Sequence, residues 1–226
     1  VHRELNAAIR DIPLPLNMLS LPVDDRGFPV PWFVSWVEGK PDFRIVQTGK
    51  RGLAYKQERC WICGGKLGRL KASVVGPMCV VNKVSSEPPS HPECARYAAK
   101  ACPFLSRPRM RRNEKDLPDA RQNPGGIALD RNPGVAAIWF SLRMSKPFAT
   151  GDGGYLFDLG PVDRVEWYAE RRAATFDEVV TSIATGLPEL SRLALAEGQE
   201  AVDALGEALV AASRLIPPDP AMEGAA

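Results

Sequence analysis

Two short motifs restrict what this chain can fold into. Cys60-Trp61-Ile62-Cys63 is followed directly by Gly64 and Gly65, and His91-Pro92-Glu93-Cys94 comes 27 residues after the first pair. The five cysteines are Cys60, Cys63, Cys79, Cys94 and Cys102, and the two histidines are His2 and His91. An odd cysteine count without a visible secretion signal argues against a disulfide framework. That leaves the thiols for redox chemistry or for a metal. A thioredoxin-like pair would sit in a βαβ pattern with a proline between its cysteines, and neither is present here. The metal reading therefore leads, and it requires a fold that brings residues 60–63 and 91–94 to one point.

The second motif carries a helix-start signal. Ser90 and Glu93 have capping-box spacing, and Pro92 falls in the first turn, where proline is tolerated. The pattern predicts a helix from His91 to about Ala101, ended by Cys102-Pro103. His91 and Cys94, three residues apart, then project on the same side, and a helix N-terminus favours the thiolate form of a cysteine. Residues 64–90 are long enough for a hairpin, with "LKASVVG" and "MCVVNKV" as its strands. A knuckle of the form C-x2-C-G, a hairpin, and a helix carrying a second ligand pair together resemble the treble-clef zinc finger, over residues 58–103. The resemblance implies a tetrahedral Cys3His zinc site made of Cys60, Cys63, His91 and Cys94. Cys79 and Cys102 sit among apolar neighbours and read as core residues, although either could replace His91 as fourth ligand. The spacing matches no common iron–sulfur pattern. The longer string from Cys60 to Leu105 also resembles a group of uncharacterised proteins from bacterial and phage genomes. That similarity extends to "VPWFVSWVEGKPDFRIV" and "VEWYAE"; it implies a shared fold and nothing about chemistry.

Around this module the expected class is α+β: a treble-clef-like zinc module on a small antiparallel sheet, with C-terminal helices. Residues 1–105 read as an extended N-terminal segment, a hairpin and the zinc module. Its proline-rich stretch, residues 12–31, carries regular Leu, Met and Val residues suited to lying across a core. "WFVSWVEGKPDFRIVQT" reads as two strands around a Gly-Lys-Pro-Asp turn. Residues 106–134 are polar, basic at first and broken by prolines, which marks a loop or boundary. Residues 135–226 begin with three strand candidates, "VAAIWFSL", "GGYLFDLG" and "RVEWYAE". Helices follow. Thr175 and Glu178 form a capping box, Gly186 is a stop signal, Leu187-Pro188 opens another helix, and Val202, Leu205, Leu209 and Leu215 mark the apolar face of a third.

Charge guides the functional reading. Residues 1–115 carry 20 Lys+Arg against 10 Asp+Glu, whereas residues 116–226 carry 9 against 17. Within residues 50–115 the ratio is 15 to 4. Such clustering is the electrostatic footprint of phosphate contacts. It nominates Lys50, Arg51, Arg107, Arg109, Arg111 and Arg112 as nucleic-acid-binding residues, with Tyr55, Trp61, Tyr97 and Phe104 as stacking surfaces for DNA or RNA bases. The second reading is a protein-interaction or regulatory protein with a purely structural zinc, docking through Glu189, Glu197, Glu200, Asp203 and Glu207 on the C-terminal helices. The third is a zinc-dependent enzyme acting on nucleic acid or a nucleobase. "HPEC" contains the His-x-Glu of zinc deaminases, but its cysteine pair comes first, and a His-metal nuclease would be left with His2 alone. No apolar run spans a bilayer. The first thirty residues show no signal peptide, and the expected location is cytoplasmic.

Overall fold

The computed structural model of the chain describes residues 4–107, 110, 115, 132–151 and 154–220. His2, Arg109, Arg111, Arg112, Asp152 and most of the 106–134 segment lie outside these residues. The fold is mixed α and β. The described elements are β1 (Val34–Val37), β2 (Lys40–Val46), α1 (Lys50–Lys56), β3 (Lys71–Val75), α2 (Pro77–Asn82), β4 (Val84–Ser85), α3 (Pro92–Ala101) and α4 (Pro103–Ser106). They continue with β5 (Ala136–Ser141), β6 (Lys146–Ala149), β7 (Tyr155–Asp158), β8 (Arg164–Ala169), β9 (Arg172–Ala173), α5 (Phe176–Glu197) and α6 (Gln199–Ser213).

The strands form antiparallel sheets ordered β1-β2, β3-β5-β8-β9 and β4-β7-β6. Strand β5 organises the molecule. All six of its residues are buried, because both faces of its sheet are covered. Its alternation divides the core. Ala137 and Trp139 pack with Val75, Val80, Trp167 and Val179 on the side of α2 and α5. Ile138 and Phe140 pack with Ala72 of β3 and Ala95 and Ala99 of α3 on the other. Helix α3 is thus laid on the sheet by small residues that allow close approach. Arg96 clamps it there, donating from Nε and a terminal nitrogen to the two oxygens of Glu166 on β8 at 2.8 and 2.6 Å.

The N-terminal segment does cross a core. Ile9, Ile12 and Met18 are buried with Cys60, Ile62, Leu67, Cys94 and Tyr97, so this arm roofs the cysteine module. The β1–β2 hairpin forms, but its turn is at Glu38-Gly39, both with positive φ, one residue before the Gly-Lys-Pro-Asp expected.

Three local expectations change. The segment "MCVVNKV" is mostly helix α2 rather than a strand. Gly76-Pro77 starts that helix, Lys83 in the left-handed region ends it, and Met78 and Val81 pack against α5 and α6. Strand β3 therefore pairs with β5, more than sixty residues later, instead of folding back on a neighbour. Gly186 does not stop a helix and Leu187-Pro188 does not start one: α5 runs unbroken for 22 residues with Pro188 inside. Ile183 and Leu190, on either side of the proline, share one apolar contact with α2 and α6, and that packing outweighs the local break. The capping box at Thr175 and Glu178 forms as the sequence indicates.

Candidate metal centre

The first ligand pair is set by a tight turn. The Cys60 N–H donates to the Gly65 carbonyl at 2.7 Å, and the Gly64 N–H to the Cys60 carbonyl at 2.8 Å. Gly64 has φ of +75°, and a Cβ there would lie 2.6 Å from the Trp32 ring. Only glycine fits both the backbone and the space. The knuckle is anchored on two sides, by Trp61 N–H to the Pro89 carbonyl at 3.1 Å and by Trp32 N–H to the Ile62 carbonyl at 2.7 Å. The Trp61 ring stacks on Phe33, centroids 4.6 Å apart.

The second pair is delivered by α3. Ser90 and Ala72 exchange backbone hydrogen bonds at 2.7 and 2.9 Å, fixing the start of the helix against β3. His91 is the N-cap, with its carbonyl accepting from Ala95, and Pro92 occupies the first helical position. The expected Ser90–Glu93 capping box does not form. Glu93 instead accepts a hydrogen bond from Asn17 of the N-terminal arm at 2.6 Å.

These elements bring Cys60, Cys63, His91 and Cys94 together, with all ligand atoms within 4.8 Å of one another. His91 Nδ1 lies 3.3 Å from Cys63 Sγ and 3.8 Å from Cys94 Sγ. A tetrahedral ion with metal–sulfur bonds of about 2.3 Å and a metal–nitrogen bond of about 2.0 Å separates S and N by roughly 3.5 Å, and the two distances bracket that value. His91 Nε2 donates to the Lys66 carbonyl at 2.8 Å. This partner holds a proton on Nε2 and leaves Nδ1 as the atom that could face a metal. Backbone N–H groups of Cys63 and His91 point at Cys60 Sγ at 3.4 and 3.3 Å, as suits a thiolate.

The electrostatics are those of crowded ligands. Burial alone would push the Cys60 thiol up, but hydrogen bonds with Cys63, Cys94 and His91 hold it far below the usual thiol range. The Cys94 thiol is driven up, first by its hydrogen bonds with Cys60 and Cys63 and then by burial. His91 is raised to about 11 by hydrogen bonding with Cys60 and Cys63. Cys60, Cys94 and His91 share protons as a unit, and a divalent cation bound here would displace those protons. The cluster could hold a metal ion. With four protein ligands such a site is closed, leaving no position for an activated water.

The other nominated residues are placed differently. Cys79, in α2, and Cys102, between α3 and α4, are outside the cluster, and burial raises both thiols. Lys50 Nζ sits 3.7 Å over the Trp32 ring, and burial, reinforced by the Arg59 charge, pulls its ammonium below the usual range. Arg51 is buried and Arg107 is exposed. Trp61 and Tyr97 are 2% and 4% exposed, too enclosed to stack on bases, whereas Phe104 is exposed and Tyr55 half-buried against Phe157. The Lys66 carbonyl, the Trp32 ring and Asn17 were not foreseen: a backbone acceptor leaves no mark on residue identity, and the arm's contacts are long-range. Comparison with family models, with curated proteins and with solved structures finds no match for this chain.

Proposed function

We propose that Cys60, Cys63, His91 and Cys94 hold one zinc ion that serves as a structural cross-link, and that the basic module around it binds nucleic acid. The closed Cys3His donor set carries the zinc reading. Thiolate and imidazole donors at tetrahedral spacing suit zinc's borderline softness and lack of geometric preference. Glu93 is engaged with Asn17 of the N-terminal arm.

Charge supports the nucleic-acid reading. Among the described residues, Lys50, Lys56, Arg69, Lys71 and Lys100 enter no ion pair. They surround the knuckle, β3 and α3 and remain available to phosphates. The test is salt-dependent binding of DNA and RNA by the zinc-loaded chain. Neutralising Arg107, Arg109, Arg111 and Arg112 together should weaken binding across all sequences. It should also lower the salt slope by about one unit per lost contact. Unchanged affinity and slope in a folded variant would remove this half of the reading.

A specific observation favours docking of another protein as the alternative. Helices α5 and α6 leave Leu195 70% and Val210 60% exposed, next to the acidic positions Glu197, Asp203 and Glu207. A Leu195→Ser, Val210→Ser variant that keeps nucleic-acid binding but loses a protein partner would favour that reading.

A further inference from the structure

We propose that Arg51, one turn before Tyr55 on α1, is the receptor for a phosphate-class oxyanion. The argument begins with charge accounting. Three ionisable side chains of the Asp, Arg and His types are buried among the described residues: Asp24, Arg51 and His91. Asp24 is ion-paired with Arg26 at 2.8 Å and accepts the backbone N–H groups of Arg26 and Phe28. His91 belongs to the metal centre. Arg51 is 9% exposed, its Nε is enclosed without a hydrogen-bond partner, and no ion pair of the described residues includes it. A guanidinium cannot shed its charge. An Nε–H enclosed without an acceptor is costly for a fold to keep. Among the described residues nothing supplies the counter-charge, and an anion from solution would.

The surroundings select the kind of ion. Arg51, Ala54 and Tyr55 share one face of α1. Ala54 is fully buried, and the Tyr55 ring lies 6.3 Å from Phe157 of β7. Phe157 in turn meets the exposed Tyr155 edge-on at 5.6 Å. Lys50, Lys56 and Arg59 belong to the same stretch and form no ion pair among the described residues. Cations this dense repel a metal ion and favour a doubly charged or polymeric anion over a single carboxylate. The planar fork of a guanidinium matches a phosphate in bidentate fashion. This inference deepens the nucleic-acid reading and rests on it only for the larger molecule that carries the phosphate. A backbone phosphate and free inorganic phosphate present the same chemistry.

The test uses the zinc-loaded full chain. Thermal melting is followed in rising inorganic phosphate against sodium chloride of equal ionic strength. Binding of a short single-stranded oligonucleotide without terminal phosphates is measured in parallel, for the parent, Arg51→Lys and Arg51→Met. The parent should be stabilised by phosphate in a saturable way, Arg51→Lys should need at least tenfold more phosphate, and Arg51→Met should not respond. Without phosphate, Arg51→Met should melt no lower than the parent, since it removes an uncompensated charge; an arginine with a merely structural role would lose stability. Should Arg51→Met fail to fold, the inference is overturned on that ground. A tenfold loss of oligonucleotide affinity in Arg51→Lys assigns the anion to nucleic acid. A phosphate response lost in the variants while the parent binds no oligonucleotide keeps the anion site and removes the nucleic-acid reading. No phosphate effect beyond chloride, or an equal effect in all three proteins, overturns the inference even where oligonucleotide binding persists.

Discussion

Gly64 and Gly65 follow the same knuckle but carry different constraints. At Gly64 the backbone is left-handed and a methyl group would enter the Trp32 ring. Gly64→Ala should cost about 1–3 kcal/mol, read as a lower denaturant midpoint at unchanged slope. At Gly65 the added carbon would meet Cys63 Sγ and His91 Cε1 at 3.5 Å, an ordinary contact. Gly65→Ala should stay within about 0.5 kcal/mol of the parent, as most uncrowded substitutions do. Equal costs at the two positions would contradict the knuckle geometry. The convergence of Cys60, Cys63, His91 and Cys94 was legible at this scale, because C-x2-C and His-x2-Cys leave few geometric solutions. The role of His91 Nδ1 was not, because the Lys66 carbonyl that fixes its tautomer is a backbone atom brought in by folding. The burial of Arg51 was equally hidden: its neighbours in sequence are cationic, and the charge pattern nominates it with Lys50 as an accessible phosphate contact.

At the scale of elements, helix α5 separates what local chemistry dictates from what packing decides. Thr175 and Glu178 exchange both capping-box hydrogen bonds, and Thr175→Ala should cost about 1 kcal/mol. Arg172 holds the Glu178 carboxyl down at about 2. A lowered folded pKa gives stability that is complete above the ordinary value of 4.5 and fades as pH falls through about 2. The stability gap between parent and Glu178→Gln should therefore be largest above pH 4.5 and close toward pH 2. The group is largely solvated, so the gap should be small. A gap that is constant over this range would mean that the charge plays no part. Pro188 tests the continuity of the helix. Inside a helix a proline removes a hydrogen bond and crowds the preceding turn, so Pro188→Ala should raise the melting temperature. Were Pro188 the first residue of a separate helix, the same change would be neutral or harmful. The capping box could be read from four residues. The unbroken run through Pro188 could not, since it depends on Ile183 and Leu190 meeting α2 and α6 together. The same limit applies to "MCVVNKV", whose β-branched valines resemble a strand although its burial is set by two distant helices.

Across the whole molecule, the candidate metal centre joins parts that are far apart in sequence. Cys60 and Cys94 are packed with Ile9, Ile12 and Met18 of the N-terminal arm, and α3 lies on the sheet that carries β5 and β8. A structural zinc contributes roughly 10 kcal/mol or more in small sites, comparable with the whole stability of an ordinary domain at about 5–15 kcal/mol. Chelation should therefore loosen the arm and the knuckle together, with red-shifted tryptophan emission as Trp61 leaves its stack on Phe33. Emission unchanged after complete metal removal would show that hydrophobic packing alone holds this region. The class of the fold, mixed α and β with helices at the C-terminal end, was legible from periodicity and caps; the pairing of β3 with β5 was not, because sequence patterns carry no partner identity across that separation. X-ray absorption of the metal in freshly purified protein tests the central claim most directly. One zinc per chain, with three sulfurs at about 2.3 Å and one nitrogen at about 2.0 Å, lost in Cys60→Ser and kept in a Cys79→Ala, Cys102→Ala double variant, is the predicted result. A shell of four sulfurs, a shell containing oxygen, or iron in place of zinc would contradict it.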